Sequence, residues 1–248
     1  MVLTASFLEA NGACWEWVTK FKEAYPYGVE WTPENILMEA LPKFKSVLSW
    51  PYKKTGQFQV VLIGRDLSNR SMPWTDFTGA CLKETDMSNS DLSGSLFDNA
   101  NLQEVNFDGA YLRKSFLTGA DLRCASFVRT ILTDAWLTKA DMKGADFRRA
   151  EMPRVELSFS KLYVANLFGA EMPHAVLHGA DMRNADCRNA NMFRANLSFA
   201  DLSGANLSGA NLQDVILRGA VLTNTNLRGA DLTNANLAGA DLSEAIMN

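Results

Sequence analysis

The sequence predicts a mainly β fold, a solenoid of stacked five-residue units preceded by a small separate module. Three regularities carry that prediction. From Leu67 to Met247 every fifth residue is a bulky apolar centre, giving 37 consecutive units without an insertion: 23 on Leu, eight on Met, five on Phe and one on Cys187. Two places before the centre stands Ala in 24 units and Ser, Thr or Val in eleven more, with Arg65 and Arg70 the exceptions. All twelve glycines after Gly64 stand two places after a centre, and Asn takes that place seven more times.

A period of five matches neither helix nor strand periodicity, so the pattern is not an amphipathic version of either. Fixed short periods mark stacked repeat units. Two inward side chains two residues apart describe a very short extended piece. The Gly or Asn that follows permits the positive φ needed at the third position of a type II turn. Proline suits the second position of such a turn, and Pro73, Pro153 and Pro173 each follow a Met centre directly. Trp74, Arg129, Arg149, Val164 and Phe199 occupy the Gly/Asn place; bulky residues there predict a type I-like corner.

The run of Ala-(Asp/Asn)-Leu-x-Gly units, as in Ala-Asp-Leu-Ser-Gly at 200–204 and Ala-Asn-Leu-Ser-Gly at 205–209, resembles the pentapeptide-repeat family over about three quarters of the chain. The resemblance implies a right-handed, four-sided parallel β-helix with four units to the coil. The 37 units then make about nine coils, a rod roughly 45 Å long at a strand spacing of about 4.8 Å.

Residues 1–64 lack the register and hold four of the six tryptophans. Cys14, Trp17, Val18, Phe21 and Tyr25 fall at helical spacing and predict a helix over 12–25. Thr32-Pro33-Glu34 reads as an N-cap, a first-turn proline and an acid, and opens a second helix over 33–41. Phe58 to Ile63 reads as a strand. Repeat arrays need terminal caps, so residues 1–64 are expected to be a mostly helical cap and 65–248 the solenoid. Recognition of a partner through Trp15, Trp31 or Trp50 is a second role open to the cap.

Composition narrows the function classes. Net charge is −4 and 47% of residues are hydrophobic. No run of about 18 apolar residues indicates a membrane span, and no basic-then-apolar leader opens the chain; a cytoplasmic protein is expected. The four cysteines have no metal-ligand spacing. His174 and His178, with Glu171 nearby, lack a third convergent ligand. Serines and threonines fill small-core and turn positions with no base placed to activate one, and every repeat glycine has a turn to make. The expectation is no catalytic, cofactor or metal site.

Sorting outward positions by columns 20 residues apart gathers Leu96, Phe116 and Trp136 on one face, with Tyr111 and Ile131 on its neighbour. An apolar patch on an otherwise polar shaft points to a partner. Residues 1–64, a second copy or a foreign protein could each cover it. At the far end the centres Leu232, Leu237, Leu242 and Met247 are expected to face water in a monomer, suiting an end-to-end homodimer through the C-terminal coil.

Two functions are weighed. One is a non-enzymatic scaffold that presents these surfaces to an unidentified protein partner. The other comes from the resemblance alone: some family members imitate DNA and act on type II topoisomerases such as gyrase. The repeat region carries 18 Lys/Arg against 22 Asp/Glu, far from the charge density of a duplex, about one per 1.7 Å of axis. Direct nucleic-acid binding is not expected, because the basic residues of 113–161 are spread over different faces.

Overall fold

The computed structural model describes residues 62–247 and two short strands, β1 (Val2–Leu3) and β2 (Val29–Glu30). The strands pair antiparallel, Val2 opposite Glu30 and Leu3 opposite Val29. The helices expected at 12–25 and 33–41, and residues 58–61 of the expected strand, lie outside the described residues.

Residues 62–247 form a β solenoid. The residue before each centre bridges in parallel to the residue 20 positions on, from Asp66 with Asp86 through Leu96 with Phe116 to Asn226 with Ile246. The bridges fall into four columns, so four units make one coil. Each rung is held from both sides: the N–H of Leu117 donates to Trp136 O on the next coil at 2.7 Å, and the N–H of Phe116 donates to Ser95 O on the previous one at 3.0 Å.

Between rungs the chain turns a corner whose third residue is left-handed without exception among the described units. Glycines there have φ of 63 to 70° and other residues 52 to 61°. The type I-like corners expected at Trp74, Arg129, Arg149, Val164 and Phe199 are therefore corrected, since their φ values are 61, 57, 58, 52 and 59°. Rung bonds decide the matter. The N–H of Trp74 donates to Ser93 O at 2.9 Å and that of Val164 to Arg183 O at 3.0 Å. Another corner type would break these bonds, and keeping them outweighs the roughly 1–2 kcal/mol that the left-handed region costs an L-residue.

The Asp or Asn before each centre has a local task that its polarity alone does not reveal. Its side-chain oxygen accepts the N–H of the residue just after the centre: Ser68 to Asp66 at 2.9 Å, Ser208 to Asn206 at 3.1 Å, Ser243 to Asp241 at 3.0 Å. That N–H points around the corner and away from the rungs, and a short side-chain acceptor satisfies it. The same geometry extends the register back one unit. Leu62 is a buried centre, Gly64 has φ 63°, and Arg65 N–H closes the turn on Leu62 O at 3.2 Å.

The core is the column of centres lined by the small residues. In the first coils phenyl rings follow one another: Phe77 on Phe97 at 5.0 Å, Phe97 edge-on to Phe107 at 5.8 Å, Phe107 on Phe127 at 5.2 Å and Phe127 on Phe147 at 4.6 Å. Hydroxyls in small positions donate to the carbonyl of a centre, either one coil back, as Thr85 to Leu62 O at 2.7 Å and Thr225 to Leu202 O at 2.8 Å, or three residues back, as Thr75 to Met72 O at 2.8 Å and Ser115 to Leu112 O at 2.7 Å. Ser160 departs from this. It is the sole non-alanine in the column that steps by 20 from Ala80 to Ala240, and its buried Oγ has no hydrogen-bond partner. Ser160→Ala is therefore expected to raise the unfolding free energy by about 1 kcal/mol, read as a higher guanidinium midpoint; an unchanged or lower midpoint would show the hydroxyl to be paired in solution.

Corner side chains also lean along the rod onto the next coil. A Cβ added at Gly94 would overlap the Trp74 ring, one at Gly179 would lie 2.9 Å from Phe159, and one at Gly219 would lie 2.7 Å from Phe199. Glycine here makes room for a neighbour 20 residues earlier as well as turning the corner.

Candidate binding face

The structure brings the expected patch residues together. Leu96, Phe116 and Trp136 succeed one another in one bridge column, and Tyr111 and Ile131 do so in the adjacent one. Trp136 is 50% exposed and its ring stacks on Phe116 at 6.3 Å with 21° between planes. Tyr111 is 43% exposed and carries the Arg113 guanidinium 5.6 Å from its ring centre. Leu96, Phe116 and Ile131 are half-buried. Neighbouring rungs fix the spacing of the backbone beneath these side chains.

Three further residues extend the same side of the rod. Phe159 and Phe199 project from corners beside the Trp136 column, 54% and 55% exposed. His178 lies edge-to-face between them, at 5.3 Å from Phe159 and 5.6 Å from Phe199. Sorting the sequence by the position before each centre missed them, because they are corner residues; for Phe159 and Phe199 the signal available was a bulky apolar side chain where Gly or Asn is the rule, and for His178 there was none.

His174 and His178 are not brought together. His174 meets Phe193 edge-on at 5.8 Å on a different corner, and Glu171 accepts from Asn191 at 2.8 Å. Among the described residues no three His, Cys, Asp or Glu side chains converge as a metal site. Cys187 is fully buried, and burial pushes its thiol above the ordinary range, which makes it a poor nucleophile.

The charged columns neutralise themselves locally. Arg123 forks onto Asp121 at 2.8 and 2.7 Å, Arg183 onto Asp181 at the same distances, and Arg188 onto Asp186 likewise. Arg154 reaches Asp134 one coil back at 2.7 Å. These guanidinium hydrogen bonds hold the four carboxyls below the usual carboxylate range. Nearer the C-terminus the acids have uncharged partners instead: Asp231 takes Thr233 and Gln213, and Asp241 takes Ser243 and Thr223. At the last described coil Leu232 and Leu237 are partly buried, while Leu242 and Met247 are exposed.

The family model for pentapeptide repeats matches in eight copies spanning residues 58–94 and 100–248. HetL, a pentapeptide repeat protein involved in heterocyst differentiation regulation from the cyanobacterium Nostoc sp. strain PCC 7120, is 32% identical, with 76% of this chain and 90% of HetL covered and a TM-score of 0.43. QnrB1, a plasmid-mediated fluoroquinolone resistance protein, is 16% identical over 77% of this chain and 92% of its own, with a TM-score of 0.37. No curated protein matches. With the repeat model covering well over half of its length, the chain belongs to the pentapeptide-repeat family.

Proposed function

We propose that the protein is a non-enzymatic binding scaffold, a right-handed four-sided rod of about nine coils that meets a protein partner on the face carrying Leu96, Tyr111, Phe116, Ile131 and Trp136. The observation that carries this reading is Trp136, half exposed and stacked on Phe116. A rigid ring presented this way offers large apolar area at small entropic cost, the usual profile of an interface anchor. Trp136→Ser removes that anchor without touching the core. In affinity capture from the native host, a partner held by the wild type and lost by Trp136→Ser at unchanged melting temperature is the expected result. A partner held equally by both proteins would move the interface elsewhere.

A second reading, imitation of DNA toward gyrase, draws on the acids near the C-terminus that have no basic partner, Asp231 and Asp241. Upstream of them Asp121, Asp134, Asp181 and Asp186 are each paired with an arginine, so a duplex-like run of free charge would be short. A supercoiling assay titrated with this protein, with and without a quinolone, separates the readings: inhibition or protection favours imitation, and no effect leaves the scaffold.

In the same proposal residues 1–64 cap the rod, and two rods meet end to end through Leu232, Leu237, Leu242 and Met247. Exposure of Leu242 and Met247 supports the second contact. Light scattering at micromolar concentration is expected to give twice the chain mass; a monomer mass would remove the dimer.

A further inference from the structure

We infer that the partner segment accepted by the Trp136 face is acidic, a stretch of protein whose apolar anchors are flanked by carboxylates. This rests on the docking reading above and adds the chemistry of what docks.

The inference comes from how charge is spent along this side of the rod. Apart from Glu151, which is exposed next to Ile131 and whose carboxylate has no hydrogen bond or ion pair among the described residues, its acids are turned onto the chain itself. Asp98 accepts the N–H of Thr118 at 2.8 Å, Glu156 that of Ser158 at 2.9 Å, and Asp134 and Asp214 pair with Arg154 and Arg194 at 2.7 and 3.2 Å. Its remaining cations are not so used. Lys114 and Lys139, on the two corners that border the Phe116–Trp136 column, and Arg218, beside Ile216, are exposed and form no salt bridge among the described residues. An aromatic centre rimmed by surplus positive charge selects a partner of opposite rim charge. From Lys114 to Arg218 is about five coils, or roughly 25 Å at the rung spacing, the length of a helix of about 16 residues.

A lipid surface would also welcome aromatics and cations, but the floor of this face argues for protein. Glu156 and Asn196 interrupt the apolar column between Trp136 and Ile216. Only one Glu156 oxygen is engaged by Ser158; pressed against hydrocarbon, the other loses its water without gaining a donor, whereas a polypeptide can supply an N–H to it.

The test is selection of random 16-residue peptides displayed against the full-length protein, with Trp136→Ser and the triple variant Lys114→Glu/Lys139→Glu/Arg218→Glu as counter-targets. All four positions are exposed, so the variants are expected to melt with the wild type. Peptides that depend on Trp136 should be enriched in Asp and Glu over Lys and Arg, and the triple variant should reverse that preference. Their affinity should fall about tenfold or more between low and high salt. Trp136-dependent peptides without an acidic bias would overturn the charge inference and leave the docking face standing. Peptides indifferent to Trp136→Ser would remove the docking face as well. Trp136-dependent cosedimentation with phosphatidylcholine/phosphatidylglycerol vesicles, with no peptide selected, would overturn the inference in favour of a bilayer.

Discussion

Phe127→Ala is expected to lower the unfolding free energy by about 3–5 kcal/mol, the range for emptying a buried phenyl site. Phe127 is fully buried, with Phe107 on one side at 5.2 Å and Phe147 on the other at 4.6 Å. In a globular core a deleted ring can be partly replaced by neighbours that shift inward. Here the backbone around the gap is held by rungs above and below, such as Phe127 N–H to Asp146 O at 2.7 Å, so the site cannot collapse and the upper half of the range applies. Guanidinium unfolding measures it. A loss below about 1 kcal/mol would mean that the stacked rings do not carry the first half of the rod.

Ala205→Phe is the second large effect, and it acts by excess volume. Ala205 is fully buried and shares its column with Ala185 one coil before and Thr225 one coil after, both also buried. The largest side chain accepted anywhere in the small position of a fully stacked coil is valine, at Val105, Val155 and Val215. A phenyl ring must push two coils apart, which breaks rung bonds such as Asn226 N–H to Ala205 O at 2.9 Å. Overpacking ordinarily costs about 1–3 kcal/mol, and a split stack costs more because contacts in a solenoid run only to neighbouring coils. The expected result is a lowered melting temperature with new protease cleavage near residues 200–210; an unchanged melting temperature and digestion pattern would defeat it.

How much of this was legible in the sequence differs by position within the unit. The centres and small residues could be read because each must fit the same narrow interior, and no surface pressure competes there. The patch around Trp136 could be read because columns follow arithmetically once the coil is four units. The corners at Trp74 and Val164 could not. Intrinsic preference disfavours left-handed bulky residues, but the corner is dictated from outside by rung bonds that a local reading does not contain. The role of Asp66, Asn206 and Asp241 as turn acceptors was hidden for a similar reason: as polar residues they looked like ordinary surface, and their work is done on an N–H two residues away. The ladder of Phe159, His178 and Phe199 needed the actual lean of the corner side chains.

That lean also bears on how such a chain can change length over generations. Trp74, Phe159 and Phe199 each lean over a glycine one full coil ahead. Duplicating or deleting a single five-residue unit between such a pair would slide the glycine out from under the ring and set a side chain in its place. Gain or loss of a complete coil outside the pair leaves every ring over its glycine. Gene segments encoding whole coils are therefore the natural currency of insertion and loss in this family member, and the spacing between a bulky corner and the glycine ahead of it is a record of which duplications the lineage could keep.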